Sequence, residues 1–412
     1  MLAAVAVFVS TSGAQSLPAP RPDDPSVKYA SAPLANPIER LNARLDAGSA
    51  HLQFQRRNGY LRSAIEAIGL RVDSQMLVFS DASFQARHIT AENPRAIFFK
   101  DDVALGWVRD GDVIEIAAQD ERLGAVFYTL DQKNVAAPRF KRAMVCLGCH
   151  LTGGTRDVPG LVLFSSTEGA GRPFGSVSYM NQATPMAERF GGWFVTGAQL
   201  PRDHRGNAIE ALGNRSRALT STTGLFDSDG YLASTSDIAA LLVFAHQAQT
   251  LNLLTRAAWE ARVADRTVHG GMPGGRGSAS SATQEAAGAV VDSMLFINEA
   301  PFDVAIRGSS GFAERFAAEG PRDSHGRSLR ELDLTRRLMR YPCSYLIYSP
   351  VFDALPPSVK GMIYERLWQI LSGAEHGARY RRALTLDDRR AVVEILRDTK
   401  PGLPSFFAGR VV

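Results

Sequence analysis

Cys146-Leu147-Gly148-Cys149-His150 is the one stretch of this 412-residue chain whose spacing dictates a chemistry. Two thiols three positions apart, followed at once by an imidazole, form the C-x-x-C-H pattern of covalent c-type haem attachment. In that pattern the thiols add across the haem vinyl groups and the histidine binds iron from below. A chain carrying it has to fold a pocket for a flat macrocycle around residues 146–150. Two plainer readings compete, a structural zinc half-site and a thioredoxin-type redox pair. Zinc would need further thiols or a matching pair of histidines, and Cys343 is the only other cysteine. The expectation is therefore one covalent haem c, held by Cys146 and Cys149, with His150 as an axial iron ligand.

Covalent haem attachment in bacteria takes place outside the cytoplasmic membrane, and the N-terminus agrees with export. Residues 2–9 are apolar but far too short to span a bilayer, and Ser12-Gly13-Ala14 offers small residues for a signal peptidase. Residues 1–14 are read as a signal peptide, incomplete because no positive charge precedes the apolar run, and the mature chain as periplasmic with no transmembrane segment. Cys343, left without a disulfide partner, is expected as a small buried apolar side chain. The net charge of +4 is small for this length, and no Lys/Arg run with interleaved aromatics points to nucleic acid. A periplasmic redox protein is the expected partner.

With 45% hydrophobic and 21% charged residues, 412 residues suit a globular protein of more than one lobe. Residues 15–37 are rich in Pro, Ala and Asp and read as an extended tether. A lobe over 38–140 follows, helical over 38–70 with Gly69 as its C-terminal cap. Its strands are expected at 76–79, 96–99, 103–108, 113–117 and 125–130, a small antiparallel meander with Asp110-Gly111 as its clearest hairpin turn. The region 141–265 is read as the haem-binding cytochrome region. Its tail carries the best helix of the chain, over 236–263, with Ser236 as N-cap. A Gly/Ser-rich stretch over 266–288 reads as a flexible loop, and 289–412 as a helical lobe with helices at 329–338, 359–371 and 386–397. The fold class is α+β, predominantly helical, with the meander preceding the haem region.

The sixth iron ligand is open between three residues. Met180 and Met186 lie 30 and 36 positions beyond His150, and His204 sits in Asp203-His204-Arg205-Gly206-Asn207. Methionine would hold a higher potential, and a second histidine a lower one. His246 falls on the apolar stripe of the 236–263 helix with Leu242 and Leu253. It is either a core histidine or a distal acid/base. Arg256, on an adjacent part of that helix, could compensate a haem propionate. In Phe190-Gly191-Gly192-Trp193-Phe194, the glycines would let backbone approach a flat cofactor and the aromatics would edge it.

Several runs together resemble a family of large, exported, single-haem cytochrome c domain proteins of bacteria. They are Asn93-Pro94-Arg95-Ala96-Ile97-Phe98-Phe99, Gly111-Asp112-Val113-Ile114-Glu115-Ile116, the C-x-x-C-H, residues 189–197 reading R-F-G-G-W-F-V-T-G, and Tyr341-Pro342-Cys343-Ser344-Tyr345-Leu346-Ile347-Tyr348. The resemblance extends from about Met76 to the C-terminus and implies haem c binding and electron transfer without naming a substrate. Where that family commonly reads H-M-G-N, this chain has His204-Arg205-Gly206-Asn207, which keeps the histidine and leans toward His204 as ligand. Two function classes follow. The first is an electron-transfer cytochrome. The second is a haem-c oxidoreductase with an open or displaceable sixth site, and whether the protein is an enzyme at all stays open between them.

Overall fold

In the computed structural model, residues 20–80, 83–166, 177–209, 219–269 and 276–412 are described. The signal-peptide reading of residues 1–14 lies outside them. Helices α1 (Pro37–Asp46) and α2 (Leu61–Ile68) replace the single helical stretch expected over 38–70. Asn36 caps α1 by accepting from the Ile38 and Glu39 N–H groups, and Gly69 ends α2 in the left-handed region.

The meander forms with small shifts of its ends: β1 (Met76–Val78), β2 (Arg95–Lys100), β3 (Val103–Trp107), β4 (Val113–Asp120) and β5 (Gly124–Asp131). Asp110 takes φ 59 in the β3–β4 connection. The chain then gives β6 (Lys141–Arg142), α3 (Leu147–His150), β7 (Leu163–Ser166), β8 (Val177–Met180) and β9 (Trp193–Phe194). Seven of these strands make one antiparallel sheet in the order β6-β5-β4-β3-β2-β1-β9, and β7 and β8 pair separately. The sheet thus joins residues from both sides of the boundary drawn at 140, because β6 and β9 close its two edges.

Alternation along the strands sorts the two faces. Val126, Tyr128 and Leu130 of β5, with Leu105, Ile114 and Ile116, pack against α1 and α2. Val27 and Tyr29 are buried in the same core, so the latter part of the expected tether folds back onto the sheet. The opposite face carries Met76, Val78, Phe99 and Ala104 beneath α4 (Ile238–His269), and Ala117, Ala125 and Phe127 beneath the C-x-x-C-H segment. Ile238–Thr267 of α4 is apolar and long enough to cross a bilayer, with a mean hydropathy of 1.3, but 94% of that window is buried inside the molecule.

The cap of α4 is Asp237, one residue past the expected Ser236. Asp237 Oδ1 accepts from the Ala239 N–H, and its Oδ2 from the Ser309 and Ser310 N–H groups. Ser236 instead ties the sheet together, accepting from Leu77 N–H and donating to the Phe194 carbonyl.

The flexible-loop reading of 266–288 fails for most of its length. α4 runs to His269 and α5 (Arg276–Met294) starts soon after, with residues 270–275 outside the described set. Ala287, Val290, Val291 and Met294 of α5 are buried in the core that α4 also lines, and that burial overrides the Gly/Ser composition. The rest of the chain adds α6 (Phe312–Ala318), α7 (Pro350–Asp353), α8 (Pro357–Ser372), α9 (Ala378–Ala383) and α10 (Leu386–Thr399). The expected helices at 359–371 and 386–397 are present. The one at 329–338 is not, because the segment is irregular and Leu334 sits at φ 55. The class is α+β.

Candidate functional site

The motif is a short helical piece laid on the outer strands of the sheet. A 3-10 turn over Met144–Cys146 leads into α3, so Cys146 and His150 are separated by about one helical turn. Ala117, Ala125 and Phe127 form the floor, with Cys146 and Leu147 packed on it. The His150 ring lies on Phe127 at 4.7 Å between centroids.

His150 is held by a two-way link to one residue. Its Nδ1 lies 2.9 Å from the Gly160 carbonyl, and its own carbonyl accepts from the Gly160 N–H at 3.0 Å. A carbonyl can only accept, so Nδ1 carries the proton and Nε2 keeps its lone pair. Burial holds the His150 pKa below the usual histidine range, which keeps the ring neutral. A neutral imidazole with Nδ1 bonded and Nε2 bare is the form in which histidine binds a metal.

The two thiols differ. Cys149 is exposed, while Cys146 is half-buried, and burial pushes its thiol up to about 11. A thioredoxin-type pair needs the opposite, a depressed thiol pKa. Among the described residues, no group of three or more His, Cys, Asp or Glu side chains converges to hold a metal. Cys343 is fully buried elsewhere, in the core under α4 and α8, its thiol pushed to about 12.

The surroundings fit a flat apolar group. Met144, Val145 and Tyr179 expose 42%, 65% and 50% of their surface around the motif, and side chains added at Gly148 or Gly153 would meet open space. Met144 and Val145 are neighbours just ahead of Cys146, while Tyr179 lies against Gly154 just past the motif. A cavity of about 180 Å³ opens beside Gly153 and Gly154, bounded by Tyr179 and Met180 of β8 and by Gln249 and Asn252 of α4. Gln249 Oε1 is buried there without a hydrogen-bond partner among the described residues.

The other candidates scatter. Met180 is buried, borders that cavity, and accepts at its sulfur from the Phe190 N–H at 3.3 Å. Met186 is buried in the large core and does not border the cavity. The His204 loop is fixed to the far edge of the sheet: Arg205 N–H donates to Arg189, and Asn207 bonds both backbone groups of Val195, next to β9. From β5 to β9 there are five strand spacings, about 24 Å. His150 and His204 are therefore not brought together.

His246 is fully buried in the core, its Nδ1 2.6 Å from Gln182 Oε1 and its Nε2 2.7 Å from Ser344 Oγ, and burial lowers its pKa to about 3. Arg256 reaches the Arg156 carbonyl just past the motif, but its charge is already met by Glu260 at 2.7 Å. Gly191 makes room for protein rather than cofactor, as a Cβ there would fall 1.9 Å from the Ser166 carbonyl oxygen. Trp193 and Phe194 are likewise buried.

Sequence reasoning missed Phe127, Gly160, Asn252 and a half-buried ion pair, Arg95–Glu115 at 2.9 Å, which spans β3 over Gly106 and is felt by both Cys146 and His150. Asn252 left a signal: it is a polar residue on the buried side of an apolar helix. No protein-family model, curated protein or solved structure matches this chain.

Proposed function

We propose that this chain is an exported single-haem c-type cytochrome that transfers electrons through a haem joined to Cys146 and Cys149, with His150 as axial ligand. The observation that carries the reading is the geometry of His150, bonded at Nδ1 to the Gly160 carbonyl at 2.9 Å and without a hydrogen-bond partner at Nε2 among the described residues. The bound haem supplies a one-electron couple. The chain's own residues do the rest. Cys146 and Cys149 would hold the group covalently, Phe127 backs the His150 imidazole, and the exposed Met144, Val145 and Tyr179 would offer it apolar cover. Met180 is favoured over His204 and Met186 as the second axial ligand because it alone of the three borders the cavity beside the motif. A periplasmic redox protein is the partner this reading calls for.

Expression in a host with haem-attachment machinery, followed by a denaturing gel and a haem peroxidase stain, tests the reading. Wild type should stain and Cys146→Ser/Cys149→Ser should not; an unstained wild type overturns it. Met180→Ala should convert the ferrous protein from low to high spin and open it to carbon monoxide, while His204→Ala should leave the spectrum unchanged. The reverse pattern would give the site to His204.

One observation favours the second reading, an oxidoreductase with a displaceable sixth ligand: the cavity already holds a buried, unbonded amide oxygen on Gln249 that could meet a small ligand. Immediate carbon monoxide binding and peroxide turnover by wild type would select it.

A further inference from the structure

The loop after the motif hands its three consecutive backbone units to three different parts of the molecule. The Pro159 carbonyl accepts from the Ala125 N–H of β5 at 3.0 Å. Gly160 bonds His150 in both directions, as described above. Leu161 is clamped by one side chain of α4: its N–H donates to Asn252 Oδ1 at 3.1 Å, and its carbonyl accepts from Asn252 Nδ2 at 2.7 Å. Asn252 is 4% exposed and uses both ends of its amide on this one residue. The approach leaves no room for a side chain at residue 160, since a Cβ on Gly160 would sit 2.0 Å from Asn252 Oδ1.

An amide that satisfies both backbone groups of a single residue fixes the position and the tilt of the neighbouring peptide. The neighbouring peptide is the one whose carbonyl orients His150. We infer that Asn252 is a positioning residue for the axial histidine: through the Leu161 clamp it sets the Gly160 carbonyl against His150 Nδ1 and so sets how strongly the imidazole binds iron. The inference rests on the haem reading. A carbonyl that accepts from Nδ1–H pushes electron density toward Nε2 and strengthens it as a ligand, most of all toward the ferric ion. Loosening the clamp weakens that push, favours the ferrous state and raises the midpoint potential.

The experiment is a redox titration of the covalently loaded full chain, with the ferric electron paramagnetic resonance spectrum as a second readout of imidazole orientation. Asn252→Ala should raise the potential by roughly the tenfold change in ferric over ferrous preference typical of such outer partners, about 59 mV for one electron. It should also shift the ferric spectrum. Gln247→Ala, on the same helix but bonded to the Lys100 carbonyl and the Tyr345 hydroxyl rather than to the loop or the cavity, should do neither. If Asn252→Ala does not accumulate, Gly160→Ala breaks the same clamp from the loop side and should move the potential the same way. Wild-type potential and spectrum in a haem-loaded clamp variant, or an equal shift in Gln247→Ala, overturns this inference alone. A wild type that carries no covalent haem overturns the cytochrome reading and the inference with it.

Discussion

At the scale of single residues, burial sets the charge states, and its sign differs between His246 and Glu299. His246 has a folded pKa of about 3, below its unfolded value, so the unfolded chain binds the proton more tightly. Its contribution to stability is complete above about pH 6.5 and is lost as the pH falls toward 3. Glu299 runs the other way. Burial raises its carboxyl to about 7, while the Leu338 N–H that it accepts at 2.9 Å and the Arg189 charge pull it down by less. A folded pKa above the unfolded one means that the folded state holds the proton more tightly, so stability is lost as the pH rises from about 4.5 to 7. Glu299→Gln, which has no proton to lose, should gain on wild type across that window by at most about 1.4 kcal/mol per pH unit. Urea unfolding at a series of pH values reads the difference, and a difference that stays flat would mean Glu299 ionises as an ordinary carboxylate in the folded protein.

At the scale of elements, the start of α4 carries more than a helix cap. Asp237 bonds the first turn of α4 and also receives the Ser309 and Ser310 N–H groups, so one carboxylate joins the central helix to the segment before α6. An ordinary cap is worth about 1 kcal/mol, and each buried N–H left without its partner costs a similar amount or more. Asp237→Ala should therefore lower stability by about 2–4 kcal/mol in urea unfolding. Asp237→Asn keeps one acceptor oxygen but sets an amide donor against N–H groups in place of the other, so it should lose at least half as much. A wild-type melt for Asp237→Asn would show that the site needs only one oxygen. The shift from Ser236 to Asp237 also shows the limit of local reading. Both residues cap helices well, and only the neighbouring strand, which claims the Ser236 hydroxyl for Leu77 and Phe194, decides between them.

At the scale of the whole molecule, the Pro-rich segment before α1 is part of the core that backs the motif-bearing strand. Tyr29 is buried, its hydroxyl donates to the Ala125 carbonyl at 2.7 Å, and the Arg142 guanidinium lies over its ring at 4.9 Å. Tyr29→Ala should cost about 3 kcal/mol or more, as removal of a buried aromatic side chain does, whereas in a solvated tether it would change stability by less than about 0.5 kcal/mol. Thermal or urea melts distinguish the two. Sequence by itself determined the features that short spacing encodes. The C-x-x-C-H needs only five consecutive residues, the strands from 76 to 131 show in β-branched runs broken by turn dipeptides, and α8 and α10 show in their apolar periodicity. Tertiary structure alone decided the rest, because each such feature depends on what lies opposite. α5 forms from a Gly/Ser-rich stretch because α4 buries it, and residues 329–338 lose their helical pattern where Leu334 turns to φ 55. His150 lies over β5 and the His204 loop is tied beside β9, five strand spacings apart, by a strand order that no local pattern records. Asn252 meets Leu161, 91 positions away, because folding lays α4 beside the loop that orients His150.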